Sequence, residues 1–266
     1  MDPLVMGIVN VTPDSFSDGG LFLDADAAIA HGRELIAEGA AILDIGGEST
    51  RPGAKQVGAD EETNRVIPVI EALSGHDVQI SIDTTKAAVA KRALDAGATI
   101  VNDVAAFRFD PEIAAVTADA GATCVLMHML GEPRTMQDDP HYDEVVSDVK
   151  AFLEERLAYA TGQGIAEDRI WLDPGIGFGK TLEHNLQLIA RLDEIVAIGR
   201  PVVFGASRKS FLGKLTSRQV DERLAGTIAS NIIAYERGAR VFRVHDVGPA
   251  VDALKVAAAT VRRVDP

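Results

Sequence analysis

The segment VQISIDTTKAAVAKRALDAGATIVNDV, residues 78–104, holds a strand, a helix and a second strand in succession. Its apolar run Val78–Ile82 predicts a buried strand, and the amphipathic stretch Lys86–Ala96 predicts a helix. Gly97 suits the left-handed residue at which many helices stop. The short run Thr99–Val101 then predicts the next strand. The segment therefore predicts one strand–helix–strand unit.

The same alternation runs from one end of the chain to the other. The predicted strands are Leu4–Val11, Ala41–Ile45, Val78–Ile82, Thr99–Val101, Thr123–Met127, Arg169–Leu172, Pro201–Phe204 and Arg240–Val244. The predicted helices are Ala25–Glu38, Glu61–Leu73, Lys86–Ala96, Pro111–Ala120, Tyr142–Thr161, Leu182–Ile195, Asp221–Glu236 and Gly248–Arg263. This pattern predicts an α/β protein with a (β/α)₈ TIM barrel, and a doubly wound open sheet is the competing architecture. The strand count and the even composition favour the barrel, as a single domain over residues 1–266.

Composition excludes several classes of protein. The chain has 266 residues, a net charge of −14 and a single cysteine, Cys124. The acidity argues against a broad nucleic-acid-binding face. One cysteine allows no intramolecular disulfide and supports no cysteine-based metal site. No signal peptide opens the chain and no apolar stretch reaches membrane-spanning length, so we expect a cytoplasmic protein that does not bind membranes.

Polar residues lie at or just after the end of almost every predicted strand. They are Asn10, Asp44, Asp83, Asn102, His128, Asp173, Ser207 and His245. In a barrel they would surround the C-terminal mouth, where active sites lie. Any one of them could instead cap the following helix, and Asp103 is a candidate for that role alone. Polar groups that point into a barrel are costly unless they form hydrogen bonds, and at the mouth the partner can be a ligand.

The stretch DPGIGFGKT, residues 173–181, resembles a nucleotide-binding loop at first sight. A phosphate loop that ends in Gly179-Lys180-Thr181 needs a glycine where this chain has Pro174. Proline has no N–H to offer a phosphate. The spacing of the glycines also fails the dinucleotide fingerprint. Asp173 is therefore the residue of interest in this stretch, and we expect Lys180 and Thr181 to be structural.

Three further loops are rich in functional groups: NVTPDSFSDGG (10–20), GGESTRPGA (46–54) and GASRKSFLG (205–213). A helix is predicted to begin near Ser207, where backbone N–H groups with Arg208 and Lys209 would bind an anion. The alternative is that both cations are solvated. Carboxylates, an amide and a lysine that converge on one pocket suit the amino-oxo edge of a pterin, and nearby arginine and histidine suit a phosphate.

The motifs MGIVNVTPDSFSDGG, DIGGESTRPGA, SIDT, LMHM, DPGIGFGKT, SRKSFLG and RVHDV occur in this order between Met6 and about Val256. In them the chain resembles the dihydropteroate synthases of folate biosynthesis. The resemblance implies a (β/α)₈ barrel, a homodimer and small-molecule substrates. The implied reaction condenses 6-hydroxymethyl-7,8-dihydropterin diphosphate with 4-aminobenzoate, the step at which sulfonamides compete.

The resemblance also implies roles for individual residues. The implied pterin contacts are Asp83, Asn102, Met127, Asp173, Gly205, Lys209 and Arg243. The implied diphosphate contacts are Asn10, Thr50, Arg51, Arg243 and His245, with Asn10 and Asp18 as Mg²⁺ ligands. The implied 4-aminobenzoate contacts are Phe16, Thr50, Arg51, Pro52, Phe178, Lys209 and Ser210. Asp83, Asp173, Lys209, Arg243 and His245 would act in catalysis.

Two rival functions remain open at this point. A pterin-dependent methyltransferase on the same barrel would share the pterin carboxylates but would not need Phe16 or the Ser-Arg-Lys-Ser segment at 207–210. A non-catalytic pterin-binding paralogue would keep the binding residues and form no product. The sequence supplies no nucleophile triad. The implied mechanism is departure of diphosphate, assisted by Mg²⁺, followed by attack of the aromatic amine.

Overall fold

The computed structural model describes residues 2–12, 20–49 and 56–261, apart from the side chains of residues 20–24. The strands in these ranges are β1 (Leu4–Asn10), β2 (Ile42–Gly46), β3 (Gln79–Asp83), β4 (Ile100–Asp103), β5 (Thr123–Met127), β6 (Ile170–Asp173), β7 (Val203–Phe204) and β8 (Val241–Val244). The helices are α1 (Gly20–Ala37), α2 (Ala59–Leu73), α3 (Ala87–Asp95), α4 (Glu112–Asp119), α5 (Val145–Gly162), α6 (Leu182–Ala190), α7 (Leu192–Val196), α8 (Ser210–Thr216), α9 (Leu224–Glu236) and α10 (Val247–Val261).

The strands form one parallel sheet that curls into a barrel. Their order is β6-β5-β4-β3-β2-β1-β8-β7. A parallel bridge between Leu172 and Val202 joins β6 to the segment that leads into β7. This bridge connects the two ends of the sheet, so the barrel prediction is confirmed and the open doubly wound sheet is excluded.

Two of the differences between the predicted and the observed helices have a clear cause in the backbone. The stretch predicted as one helix over Leu182–Ile195 is two helices, because Arg191 leaves the helical conformation with φ −117° and ψ 29°. The helix predicted to begin near Ser207 begins instead at Ser210. Arg208 has a φ of 58°, in the left-handed region, so the chain turns sharply before α8 can start. The prediction of a helix start at Ser207 is therefore wrong.

Two of the apolar clusters among the described residues form the cores of the barrel. The larger one lies between the strands and the surrounding helices, where β-strand residues such as Leu43, Val101 and Phe242 are fully buried. The smaller one fills the lower part of the barrel interior and consists of Met6, Ile42, Ile100, Val125, Trp171, Val203 and Val241. Inward-pointing apolar side chains are what a closed barrel of this kind needs to avoid a pore. The upper part of the interior is different, and it forms the candidate site.

None of the helices in the described ranges combines the length and the apolarity needed to cross a membrane.

Candidate active site

Asp44 lies at the centre of a polar network in the upper part of the barrel. Strand register places Asp44 opposite Ser81, and Asp83 opposite Asn102. The buried carboxylate of Asp44 accepts hydrogen bonds from Ser81 Oγ at 2.6 Å and from Asn102 Nδ2 at 3.0 Å. It also accepts one from Arg243 Nε at 2.6 Å. Sequence reasoning placed Asp44 at the mouth but gave it no role in the site.

Arg243 joins this network to Asp83. Its Nη2 donates to Asp83 Oδ2 at 2.8 Å, while Nε is held by Asp44. Burial raises the pKa of Asp83 to about 7, although Arg243 acts in the opposite direction. Burial acts to lower the pKa of Arg243, but the two carboxylates raise it above its usual value. Arg243 therefore stays charged, and Asp83 changes charge near neutral pH.

A second group of side chains meets around Gly205. A Cβ atom at this glycine would lie 3.8 Å from Arg243 Cβ and 3.9 Å from both Asp173 Oδ2 and Lys209 Nζ. These three side chains belong to different parts of the chain and converge on one point. A side chain larger than a methyl at residue 205 would fill the space between them. The absence of a side chain at Gly205 therefore keeps the upper end of the barrel open.

Burial shifts the charge balance of Asp173 and Lys209. It raises the pKa of Asp173, against the influence of Lys209 and of the hydrogen bond that Gly175 N donates to Oδ1 at 2.7 Å. It lowers the pKa of Lys209 to about 8, against the influence of Asp173. Lys209 Nζ also donates to the backbone oxygen of Ile176. The pair can thus present a hydrogen-bond acceptor and a proton donor to the same ligand.

An apolar wall borders the polar groups on one side. Met127 is buried with Val104, Met129 and Met136, and Phe178 packs against this cluster. Met127 pairs in register with Asp173. The Lys209 ammonium lies 4.6 Å from the centre of the Phe178 ring, within the range of a cation–π interaction. The upper end of the barrel therefore offers an apolar surface beside its donors and acceptors, as flat ring ligands require.

The loop over residues 173–181 is held by contacts within the protein. Gly175, Gly177 and Gly179 all have positive φ angles. A Cβ at Gly175 would collide with the carbonyl oxygen of His128, and one at Gly179 would lie 2.7 Å from Leu130 Cβ.

The backbone N–H groups of this loop have protein partners. Gly175 N donates to Asp173, and Gly177 N donates to Asn185 Oδ1 at 2.6 Å. Phe178 N donates to Gly175 O at 3.0 Å. N–H groups that are used in this way do not form a phosphate cradle, in agreement with the sequence argument against a nucleotide loop. Thr181 caps α6, as expected for a structural residue.

His128 is the strand-end residue that does not face the mouth. Met127 points inward, so the alternation of a strand sends the next side chain outward. There the His128 ring packs edge-on against Phe152 of α5 at 4.8 Å, and its Nδ1 lies 2.9 Å from Lys180 Nζ. Burial and Lys180 lower the pKa of His128 to about 2. The prediction that this histidine surrounds the mouth is wrong.

Arg208 and Lys209, which the sequence suggested as parts of one anion site, point in different directions. Arg208 forms an ion pair with Asp246, with its Nε 3.0 Å and its Nη2 2.5 Å from the carboxylate oxygens. Lys209 points instead into the barrel mouth. Ser207 Oγ lies 2.9 Å from His245 Nδ1 and accepts from His245 N at 3.1 Å. Ser207 therefore orients the His245 ring, a role that sequence reasoning missed.

The remaining predicted residues fall into two groups. Asn10 ends β1 opposite Gly46, which in turn lies opposite Asp83, so Asn10 is level with the mouth. Ser210 is exposed at the first residue of α8. Phe16, Asp18, Thr50, Arg51 and Pro52 lie outside the described residues. Predictions on those residues stay predictions.

No cluster of metal-ligating acids, histidines or cysteines occurs within residues 2–12, 20–49 and 56–261. Mg²⁺ commonly takes only one or two protein oxygens and completes its shell with water and substrate phosphates. The side-chain oxygen of Asn10 fits such a sparse donor set. A magnesium ion at this mouth would therefore depend on the phosphate groups of a substrate for much of its coordination.

Comparisons with known proteins show similarity to one family over nearly the whole chain. The model of the pterin binding enzyme family matches residues 6–245. The chain is 46% identical to the dihydropteroate synthase of Escherichia coli over 97% of its length and 92% of the relative. It superposes on the Yersinia pestis dihydropteroate synthase, solved with a sulfonamide drug complex, with a TM-score of 0.93, 44% identity and coverage of 98% and 95%. For the Xanthomonas albilineans dihydropteroate synthase with 4-aminobenzoic acid, the TM-score is 0.93, the identity 49% and the coverage 100% and 94%.

Proposed function

This chain belongs to the pterin-binding enzymes as a dihydropteroate synthase, and we propose that the upper end of its barrel holds the pterin of the first substrate. The enzyme is a transferase of folate biosynthesis and a target of sulfonamides. It condenses 6-hydroxymethyl-7,8-dihydropterin diphosphate with 4-aminobenzoate and forms 7,8-dihydropteroate and diphosphate. The observation that carries our assignment of the pterin site is the convergence of Asp173, Lys209 and Arg243 around Gly205.

The pterin edge has donors and acceptors that complement these residues. Its amino and ring N–H groups would donate to Asp83, Asn102 and Asp173, and its carbonyl oxygen would accept from Lys209. Met127 would support the ring from the apolar wall. Arg243, held by two carboxylates, would lie beside the ring. Support for this arrangement comes from the burial of Asp83 and Asp173 near Arg243 and Lys209, because hydrogen bonds to a ligand are stronger in a site shielded from water.

The diphosphate would lie on the open side of Arg243. Arg243 and His245 would offset its negative charge, together with Thr50 and Arg51. We infer that Mg²⁺ binds here through Asn10 and Asp18. When bound, Mg²⁺ would neutralise charge on the departing diphosphate. The orientation of His245 by Ser207 supports this assignment, because a fixed ring loses less conformational entropy when it binds an anion.

The chemical step then needs little from the protein beyond position and charge. The bond between the pterin methylene carbon and the diphosphate oxygen would break first, and its electron pair would leave with the diphosphate. The buried carboxylates of Asp83 and Asp173 would stabilise the cationic pterin methylene that results. The amine of 4-aminobenzoate would attack that carbon and then release a proton to solvent. No covalent nucleophile is required of the chain.

The second substrate would bind at the rim, next to the pterin methylene. Phe178 and the stem of Lys209 would contact its ring, and Ser210 at the start of α8 would contact its carboxylate. Phe16, Thr50, Arg51 and Pro52 would complete this subsite. The proximity of Lys209 to Phe178 supports a site where the two substrates share one side chain.

Three further properties complete the proposal. The chain would act as a homodimer in the cytoplasm, with residues 1–266 as one domain. Exposed apolar side chains on or between α8 and α9, Leu215, Val220, Leu224 and Ile233, offer a surface for a second copy. Analytical ultracentrifugation would test the dimer, and a monomer at all concentrations would refute it.

The direct test of the proposed function is to measure 7,8-dihydropteroate formation from the two substrates with Mg²⁺. Asp173→Asn should abolish most of that activity. Asp168→Asn, a substitution in the short helix before β6, serves as the matched control. Binding of a pterin without product formation would indicate a non-catalytic pterin-binding paralogue instead.

A further inference from the structure

The orientation of the Asn102 side chain is fixed from below by Asp44. An amide nitrogen can only donate and a carboxylate can only accept, so Nδ2 must be the Asn102 atom that faces Asp44. Asn102 is 5% exposed, and Asp44 is fully buried. Within the described part of the chain, Asn102 Oδ1 receives no hydrogen bond. The remaining oxygen is therefore the atom that the amide can offer to a ligand.

We propose that Asp44 is a positioning residue for pterin recognition, which fixes the Asn102 amide so that its oxygen accepts from the ligand. This inference rests on the proposed pterin site. The same carboxylate holds Nε of Arg243, so a single buried group sets the orientation of two side chains at the mouth. Ser81 donates to the other oxygen of Asp44 and keeps the carboxylate from rotating.

The physical reason is the symmetry of an amide. Its oxygen and nitrogen ends are nearly equal in shape, so packing alone selects between them poorly. If Asp44 were an asparagine, residue 44 could itself donate to Asn102 Oδ1. Asn102 could then present its nitrogen to the mouth. A ligand N–H would meet a donor where it needs an acceptor, and the mismatch would weaken binding.

The test is Asp44→Asn, with binding of 6-hydroxymethylpterin measured by calorimetry. We expect the affinity to fall about tenfold to a hundredfold. The KM for the pterin diphosphate should rise, whereas the KM for 4-aminobenzoate should change little. Ser81→Ala is the matched control, because it removes one hydrogen bond to Asp44 and leaves Asn102 and Arg243 attached. Its effect should be at least several-fold smaller, and an equal effect would overturn the proposal.

A double-mutant cycle tests whether Asp44 acts through Asn102. In an Asn102→Ala background, Asp44→Asn should cost clearly less affinity than in the parent protein. Equal costs in both backgrounds would overturn the proposal. If the parent protein neither binds the pterin nor forms product, the proposed function itself fails. If the parent binds and Asp44→Asn binds equally well, the positioning role alone fails.

Nuclear magnetic resonance gives an independent readout on the unmodified protein, should Asp44→Asn not fold. The side-chain NH₂ signal of Asn102 can be assigned by its loss in Asn102→Ala. We expect this signal to be protected from exchange with water both with and without 6-hydroxymethylpterin. Exchange at the rate of an exposed amide would show that Nδ2 does not face Asp44 and would overturn the proposal.

Discussion

The lower and upper parts of the barrel interior differ in chemistry although the same strands build both. The lower part is apolar, and the upper part carries the network around Asp44, Asp83 and Arg243. On four strands the change occurs between residues two positions apart: Ile42 and Asp44, Ile100 and Asn102, Trp171 and Asp173, Val241 and Arg243. Two residues cover roughly 7 Å of strand.

On these four strands, residues that stabilise the fold and residues that would contact a ligand are therefore only two positions apart. The lower side chains gain free energy by leaving water, whereas the upper ones lose hydration that a ligand can partly replace. Substitutions in the lower part should therefore change the free energy of unfolding. Substitutions in the upper part should change affinity.

Trp171→Ala should have the largest effect. It removes the largest side chain of the lower cluster, and large-to-small changes at such sites cost about 3–5 kcal/mol. Urea unfolding monitored by circular dichroism would measure the loss, with Trp171→Phe as a milder control. A variant that unfolds normally but binds no pterin would contradict the separation of the two parts.

Asp173→Asn, two residues further along the same strand, should mainly change pterin binding. Loss of a charge-assisted hydrogen bond should cost about 1.5–3 kcal/mol of pterin affinity. Burial already disfavours the charge of Asp173, so a neutral amide should lower the unfolding free energy far less than Trp171→Ala does. Calorimetry and thermal unfolding on the same sample would check both. Unchanged affinity in a folded protein would refute the role of Asp173.

The pH dependence of pterin affinity should come from the upper part alone. In the proposed site, ionised Asp83 would accept from the pterin, and burial raises its pKa to about 7, so affinity should fall as the pH decreases through that value. Protonated Lys209 would donate to the pterin there, and burial lowers its pKa to about 8, so affinity should fall as the pH increases through that value. Each limb should approach about tenfold per pH unit.

Titration calorimetry across this range, corrected for titration of the pterin itself, would show a maximum between the two pKa values. Asp83→Asn should remove the acid limb, and Lys209→Met should remove the alkaline limb. A profile that keeps both limbs in these variants would assign the pH dependence to other groups.

Ser210→Ala should have the smallest effect, because Ser210 is exposed at the rim rather than inside the barrel. Loss of one hydrogen bond typically costs about 0.5–1.5 kcal/mol, which is up to about tenfold in KM. The KM for 4-aminobenzoate should rise more than the KM for the pterin diphosphate, and Phe16→Leu should act in the same direction. Thr216→Ala, at the far end of α8, is the control. Equal changes in both KM values would refute two separate subsites.

The sequence predicted the strands from their runs of apolar side chains, and it placed Asp83 and Asp173 at strand ends. Alternation of side chains along a strand is the rule that decides which of these residues face inward. The same rule, applied one residue further, would have placed His128 outside the barrel, since Met127 occupies the inward position.

Other features depend on contacts that no local pattern encodes. The late start of α8 follows from the left-handed backbone at Arg208, whose side chain pairs with Asp246 after the neighbouring strand β8. The importance of Asp44 arises from three partners on three other strands. A sequence shows that such a residue is polar and where its strand ends. It does not show how many groups donate hydrogen bonds to its carboxylate.

The glycines of the 173–179 loop limit how this enzyme can evolve. Every amino-acid substitution of a glycine introduces a side chain. At Gly175 and Gly179 that side chain would meet the backbone of His128 or the Leu130 side chain and require a φ that few residues tolerate. We therefore expect substitutions at Gly175 and Gly179 to be poorly tolerated. Variants selected by an inhibitor should accumulate at the exposed rim, where residues such as Ser210 can change without disturbing the barrel.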